Sequence, residues 1–193
     1  MASLVLTGDT SGQVTIAAPA VAGSNTLTLQ AATATNAVNT LGTAVASTSG
    51  TSIDFTGLPS WIKRITVQFQ GVSLSATANI LVQLGTGGTP TYTTSGYLST
   101  SNGAQAGGNS INTSTAGFVL IDTSAAAVVS GHMIITNISG NNWVSSHIAK
   151  RDAALVASGG GDVSLGAVLT AVRITSTSTD TFDAGTVNIL YEG

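Results

Sequence analysis

The sequence predicts an all-β protein: an antiparallel β-sandwich of jelly-roll-like type over residues 49–193, preceded by an extended or hairpin arm and connector over 1–48. Three observations carry that expectation. Short apolar runs alternate with polar residues at period two, the pattern of a strand with one buried face. Clusters of Gly, Ser, Thr and Asn separate those runs, as hairpin turns require. Charged residues make up only 7% of the chain, which leaves hardly any stretch with the composition of a surface helix.

Taken in chain order, the arm comes first. "GQVTIAAPAV" and "NTLTLQAA" each alternate, with Val14 and Ile16 in one, Leu27 and Leu29 in the other, and a turn around residues 22–25 between them. A lone hairpin is marginal in water. Its apolar row therefore needs cover from the main domain or from the same hairpin in neighbouring subunits, which makes these four residues interface candidates. Beyond them, Val38, Leu41 and Val45 fall at near-helical spacing, but Gly42 and several Thr residues weaken a helix, so the stretch is read as a connector.

In the domain, Pro59 stands just ahead of the first long strand, where its missing N–H costs nothing. Along that strand Ile65, Val67 and Phe69 alternate with Thr66, Gln68 and Gln70. The same period runs through "ANILVQLG", "GFVLIDT", "GHMIITNI", "NWVSSHI", "AVRITST" and "GTVNILYEG". "ISGNNW" (138–143) is a hairpin loop, and it is expected to pair Ile134 and Ile135 with Trp143 and Val144. Residues 84–97 and 99–117 lack periodicity and read as long surface loops. Tyr92 and Tyr97, placed there, are the candidates for contact with a receptor.

Composition excludes several function classes. The net charge is -3 and the pI about 4.9, and five Lys and Arg residues provide no basic stripe for phosphates, so no nucleic-acid partner is expected. The chain has no cysteine, which removes disulfides, thiolate metal sites and cysteine nucleophiles together. No apolar run reaches the roughly 18 residues that span a bilayer, so no membrane insertion is expected. A surface this poor in charge lacks the usual defence against self-association and suits a subunit covered by other subunits. Within it, Lys63-Arg64 and Lys150-Arg151 stand out as interface candidates. Neighbours on a strand point to opposite faces, so one of each pair is expected to turn inward, toward Asp54, Asp122 or Asp152, or across an interface; solvated surface charges are the alternative.

Chemistry offers weak constellations and no expected cofactor. "GDTSG" (8–12) looks like a serine-nucleophile segment, but both histidines lie downstream of it, and a turn before a strand is the simpler reading of Ser11. His132 and His147 flank the predicted hairpin and, with Asp152, are weak candidates for a metal. Asp180 and Asp183, with Asp162 after "SGGG", are weak candidates for calcium or for a glycosidase carboxylate pair, against ordinary turn chemistry. The glycine clusters lack the residues of a phosphate loop and read as flexible loop tips.

"GDTSGQVTIAAPAVAGSNTLTLQAATAT" (8–35) resembles a stretch with the pattern SG-x-hydrophobic-T-hydrophobic-x-AP-x-x-AG-x-N-T-x-T-L-P-A, found near the N-terminus of many tail-fibre-like and other virion proteins of tailed bacteriophages. "TSIDFTGLPSWIKRITVQFQGVS" and "DTFDAGTVNILYEG" are similar to segments of phage structural proteins that carry this piece. Gln30 departs from the pattern, which more often has Pro there. The resemblance implies a virion structural protein, a homotrimer made in the host cytoplasm, docked to other virion proteins through its N-terminal segment. Its β domain would face a host surface glycan or protein as part of a tail fibre or spike. A capsid decoration protein is the alternative, and a glycan-degrading enzyme a distant third.

Overall fold

The computed structural model describes residues 39–121, 124, 125, 127–153 and 155–193, together with the backbone of 3–7 and 13–17. Two compact units divide the chain, Met1–Asn36 and Ala37–Gly193. In the first, β1 (Ser3–Thr7) pairs antiparallel with β2 (Gln13–Ala17), Leu4 opposite Ile16 and Leu6 opposite Val14. The strand containing Val14 and Ile16 thus takes an upstream partner, Ser3–Thr7, which the alternation of the arm does not single out. Leu27 and Leu29, the expected partners, lie outside the described residues, as do Ser11 and Asp122.

The second unit begins earlier than composition suggested. Instead of a connector, β3 (Asn39–Leu41) and β4 (Val45–Ala46) both pair with the last strand of the chain. The other strands follow as β5 (Ile53–Thr56), β6 (Arg64–Leu74), β7 (Ile80–Thr86), β8 (Thr91–Tyr92), β9 (Leu98–Gln105) and β10 (Gly108–Ser114). They continue with β11 (Phe118–Leu120), β12 (Val129–Ser139), β13 (Asn142–Arg151), β14 (Leu155–Ser164), β15 (Leu169–Ser176) and β16 (Phe182–Glu192). A nine-stranded sheet runs β10-β9-β14-β13-β12-β6-β16-β3, with β4 also on β16. A five-stranded sheet runs β11-β7-β15-β5, with β8 on β7. All pairings are antiparallel, and one hydrophobic core takes residues from both sheets, so the domain is the β-sandwich that the alternation predicts.

The period-two runs face as expected. Ile65, Val67 and Phe69 of β6, Met133 and Ile135 of β12, and Val187 and Ile189 of β16 are buried, while Thr66, Gln68 and Ile134 between them point outward. From the small sheet, Ile80, Val82, Leu84, Val172, Ile174, Phe118 and Leu120 complete the core. Burial of these side chains is the main favourable term, on the order of 1.5–3 kcal/mol for each large aliphatic or aromatic residue.

Two expectations about local structure need correction. The β12–β13 hairpin forms, but its tip is Gly140-Asn141 and a bulge falls between Asn137 and Ser139, so Ile134 and Ile135 pair with Ser146 and Ser145, not with Trp143 and Val144. Asn137 sets that turn, its Nδ2 donating to the carbonyls of Gly140 (2.9 Å) and Asn142 (3.1 Å). The long loops are largely ladder: β8, β9 and β10 occupy much of 84–117, and the β9–β10 hairpin turns at Ala106-Gly107, with Gly107 at φ 94°. "SGGG" likewise lies within β14. A Cβ on Gly159 would stand 2.6 Å from His147 Cε1, and one on Gly161 2.6 Å from the Leu98 carbonyl oxygen. These glycines permit close approach of neighbouring strands; they are not loop tips.

Candidate interaction surface

The outward face of the large sheet is set by register. Cross-strand partners share a face, so the pairings align Ile111, Asn102, Ser158, Ile148, His132, Gln68 and Asn188 in one row from β10 to β16. The adjacent row is Thr113, Thr100, Gly160, Ser146, Ile134, Thr66 and Leu190. Apart from the imidazole of His132, this band carries hydroxyls, amides and aliphatic groups only. At strand spacings of about 4.8 Å it is roughly 30 Å wide. Charges begin in the flanking rows, Lys150 beside Val156 on one side, Asp162 and the Arg64–Glu192 pair (3.5 Å) on the other. Ile111 is 69% exposed and Ile148 52%, three strands apart in one row.

The opposite side of the domain has a different character. On the outer face of the small sheet, the Tyr92 ring lies where a Gly85 side chain would stand, the Arg173 guanidinium covers that ring at 3.9 Å, and Arg173 holds Asp54 through two bonds of 2.7 and 2.8 Å. Burial and the Asp54 carboxylate push the Tyr92 hydroxyl up to about 12. Each charge here is neutralised locally, so the cluster braces β5, β15, β7 and β8.

The two tyrosines offered as receptor contacts are therefore not presented rings. Tyr97 is fully buried: its hydroxyl accepts from the Leu84 N–H at 2.8 Å, its ring meets Phe118 edge-on at 5.0 Å, and burial pushes its pKa up to about 12. Tyr92 lies beneath Arg173. Both belong to segments that pack as strands or strand entries, where an aromatic ring serves the sandwich.

The basic pairs also divide differently from expectation. Lys63 and Arg64 are both exposed, because the strand is only starting there, and Arg64 meets Glu192. Lys150 faces out, while Arg151 is turned inward, its side chain 15% exposed and 3.9 Å from Asp152. Trp61 stacks at a tilt on Tyr191, centroids 5.9 Å apart.

The metal candidates do not assemble. His132 pairs with Ile148 on the outward face, and His147 pairs with Met133 on the inward face, so the sheet separates the two imidazoles. Asp180 sits in a turn, its N–H donating to Ser178 Oγ at 3.0 Å, and Asp183 is exposed at the start of β16. Among the described residues no group of three His, Cys, Asp or Glu side chains is placed to hold a metal.

Sequence reasoning missed one polar constellation. Ser99 and Ser101 point inward from β9, and their hydroxyls accept from the N–H groups of Val119 (2.9 Å) and Ile121 (3.1 Å) along the free edge of β11. Ser101 Oγ also stands 2.9 Å from His147 Nε2. A serine hydroxyl has two lone pairs besides its proton, so this contact fits either neutral tautomer of His147. Burial holds His147 down at about 4, and Nδ1 has no partner. A serine–histidine pair at this distance has the spacing of a nucleophile and its base. Here it is sealed in the core, Ser101 fully buried and His147 6% exposed, and it serves to join the sheets.

The depressed His147 pKa predicts an acid sensitivity. The unfolded chain takes up a proton near 6.5 and the folded one near 4, so stability falls as pH drops through that window. Urea denaturation should show the wild-type chain losing about 3 kcal/mol more than His147→Gln between about pH 7 and pH 4. Parallel pH profiles would refute a buried neutral imidazole.

Among the described residues no helix is long and apolar enough to cross a membrane. Comparison with protein-family models, curated proteins and solved structures finds no match, so the case for function rests on this surface and on the sequence itself.

Proposed function

We propose that the chain is a non-enzymatic structural subunit of a tailed-bacteriophage particle, a tail-fibre or spike-type appendage attached through its N-terminal arm to other virion proteins and presenting its β domain to a host surface glycan or protein. The observation that carries the structural part is the band on the large sheet: a broad surface without Lys, Arg, Asp or Glu, with Ile111 and Ile148 uncovered, suits contact with other subunits. The virion setting comes from the resemblance of residues 8–35. Decoration of the capsid is the second reading, and one finding favours it. Most of 99–117, expected as a presented loop, forms the regular β9–β10 hairpin, with Tyr97 inside at its entry.

An epitope inserted between the exposed Gly166 and Ala167 locates the protein on particles by immunogold electron microscopy. Label at the tail or baseplate is the expected result. Label over the head makes the protein a decoration subunit. Absence from purified particles overturns both readings. Removing residues 1–36, a separate compact unit, should leave the β domain folded and abolish incorporation.

A further inference from the structure

The edges of the sandwich are unequally protected. A strand edge offers unpaired N–H and C=O groups to any other strand, and proteins usually close or blunt it. Here β11 is closed by the Ser99 and Ser101 hydroxyls. At the far side of the small sheet, β5 is four residues long and carries Asp54. At one end of the large sheet, β3 and β4 are three and two residues long. At the other end β10 is seven residues long, contains neither charge nor proline, and has β9 as its sole strand partner among the described residues.

The hairpin geometry says which groups are open. In a two-residue hairpin the closing residues, here Gln105 and Gly108, form a hydrogen-bonded pair, and pairs alternate from there. Gly108, Ser110, Asn112 and Ser114 therefore bond to β9. Asn109, Ile111 and Thr113 turn their N–H and C=O outward, and the side chains of all three are exposed. Ile111 is the middle residue of the strand.

We propose that β10 pairs antiparallel with β10 of a second copy of this chain, about a two-fold axis through Ile111. Ile111 then bonds to its counterpart, and Asn109 bonds to the partner's Thr113 and the reverse, so that every outward group of the three residues is satisfied. The two Ile111 side chains come together on the outward face. No charge on the strand repels its symmetry mate, whereas charge is one of the usual devices that blunt an exposed edge. The Ile111 row continues into its own counterpart across the axis, and the Thr113 row meets the partner's Asn109, whose row stays uncharged through Ala104 and Val156 as far as Lys150. This contact stands whether or not the chain belongs to a virion, and it produces pairs, not the trimers implied by the resemblance.

Sedimentation equilibrium of the full chain tests it. The expected species has twice the 19.0 kDa chain mass. Ile111→Lys, which sets two ammonium groups across the axis, and Thr113→Pro, which removes an outward N–H without loss of a β9 bond, should each give the single-chain mass with the far-ultraviolet spectrum unchanged. Because the chain has no cysteine, Ile111→Cys provides a second readout: a short bis-maleimide should join it into dimers at least tenfold faster than Ile138→Cys, which is similarly exposed at 66%. A monomeric wild-type chain, a trimer indifferent to Ile111→Lys, or equal cross-linking of the two cysteine variants would overturn the proposal. So would association that survives Ile111→Lys but is lost on removal of residues 1–36.

Discussion

Val67→Asp is expected to leave the chain unfolded at room temperature, and Phe69→Asp to do nearly the same. Val67 is fully buried in the middle of β6, between Met133 of β12 and Ile189 of β16, and Phe69 is 4% exposed between Gly131 and Val187. A carboxylate at either position has no cationic partner within the core. Stranding a charge there costs several kcal/mol, which is comparable with the whole stability of a domain. Gln68→Asp, one residue along and facing outward, should change stability by less than about 1 kcal/mol. Circular dichroism and thermal melting of the three variants check this. A Val67→Asp protein that melts with the wild type would mean that β6 faces the other way.

The second large effect is expected from Gly159→Val. Gly159 lies in β14 opposite Ser101 on one side and His147 on the other. A Cβ there would lie 2.9 Å from Ser101 Cα and 2.6 Å from the imidazole, and would press on the Thr100 carbonyl, a backbone atom that cannot rotate away. To accept valine, β14 must part from β9 or β13, losing ladder bonds and opening the serine–histidine contact that holds β11. A loss of about 3 kcal/mol or more is expected, at or above the upper range for overpacking. Gly166→Ala, where added atoms meet nothing within 4 Å, should be neutral to within about 0.5 kcal/mol. Chemical denaturation compares the two; a Gly159→Val change below 1 kcal/mol would show that the strands yield easily.

These two sites mark what could and could not be read in advance. β6 was legible because its inward residues are Ile65, Val67 and Phe69, and alternation is visible wherever burial is apolar. β9 and the middle of β14 were not, because their inward residues are Ser99, Ser101, Gly103, Gly159 and Gly161. Small polar residues stand there so that the β11 backbone can come close enough to bond to serine. In a sequence, Ser-x-Ser-x-Gly at period two resembles a loop. A faint signal was present in the alternation of Ser99, Ser101 and Gly103 with Thr100, Asn102 and Ala104, which carries the strand period without its hydrophobic contrast.

By itself, the sequence determined that this chain is all-β, that its sheets are antiparallel, and which residues of the apolar strands face inward, because a period-two pattern leaves no other way to bury them. It also determined that the surface would be nearly uncharged. Only the tertiary structure decided that Tyr97 is core, that His132 and His147 lie on opposite faces, that Arg173 clamps Asp54 over Tyr92, and that β10 is the long open edge. Each of these depends on register and strand order, which are set by turns, bulges and close glycine contacts between segments far apart in the chain, and no local pattern encodes them.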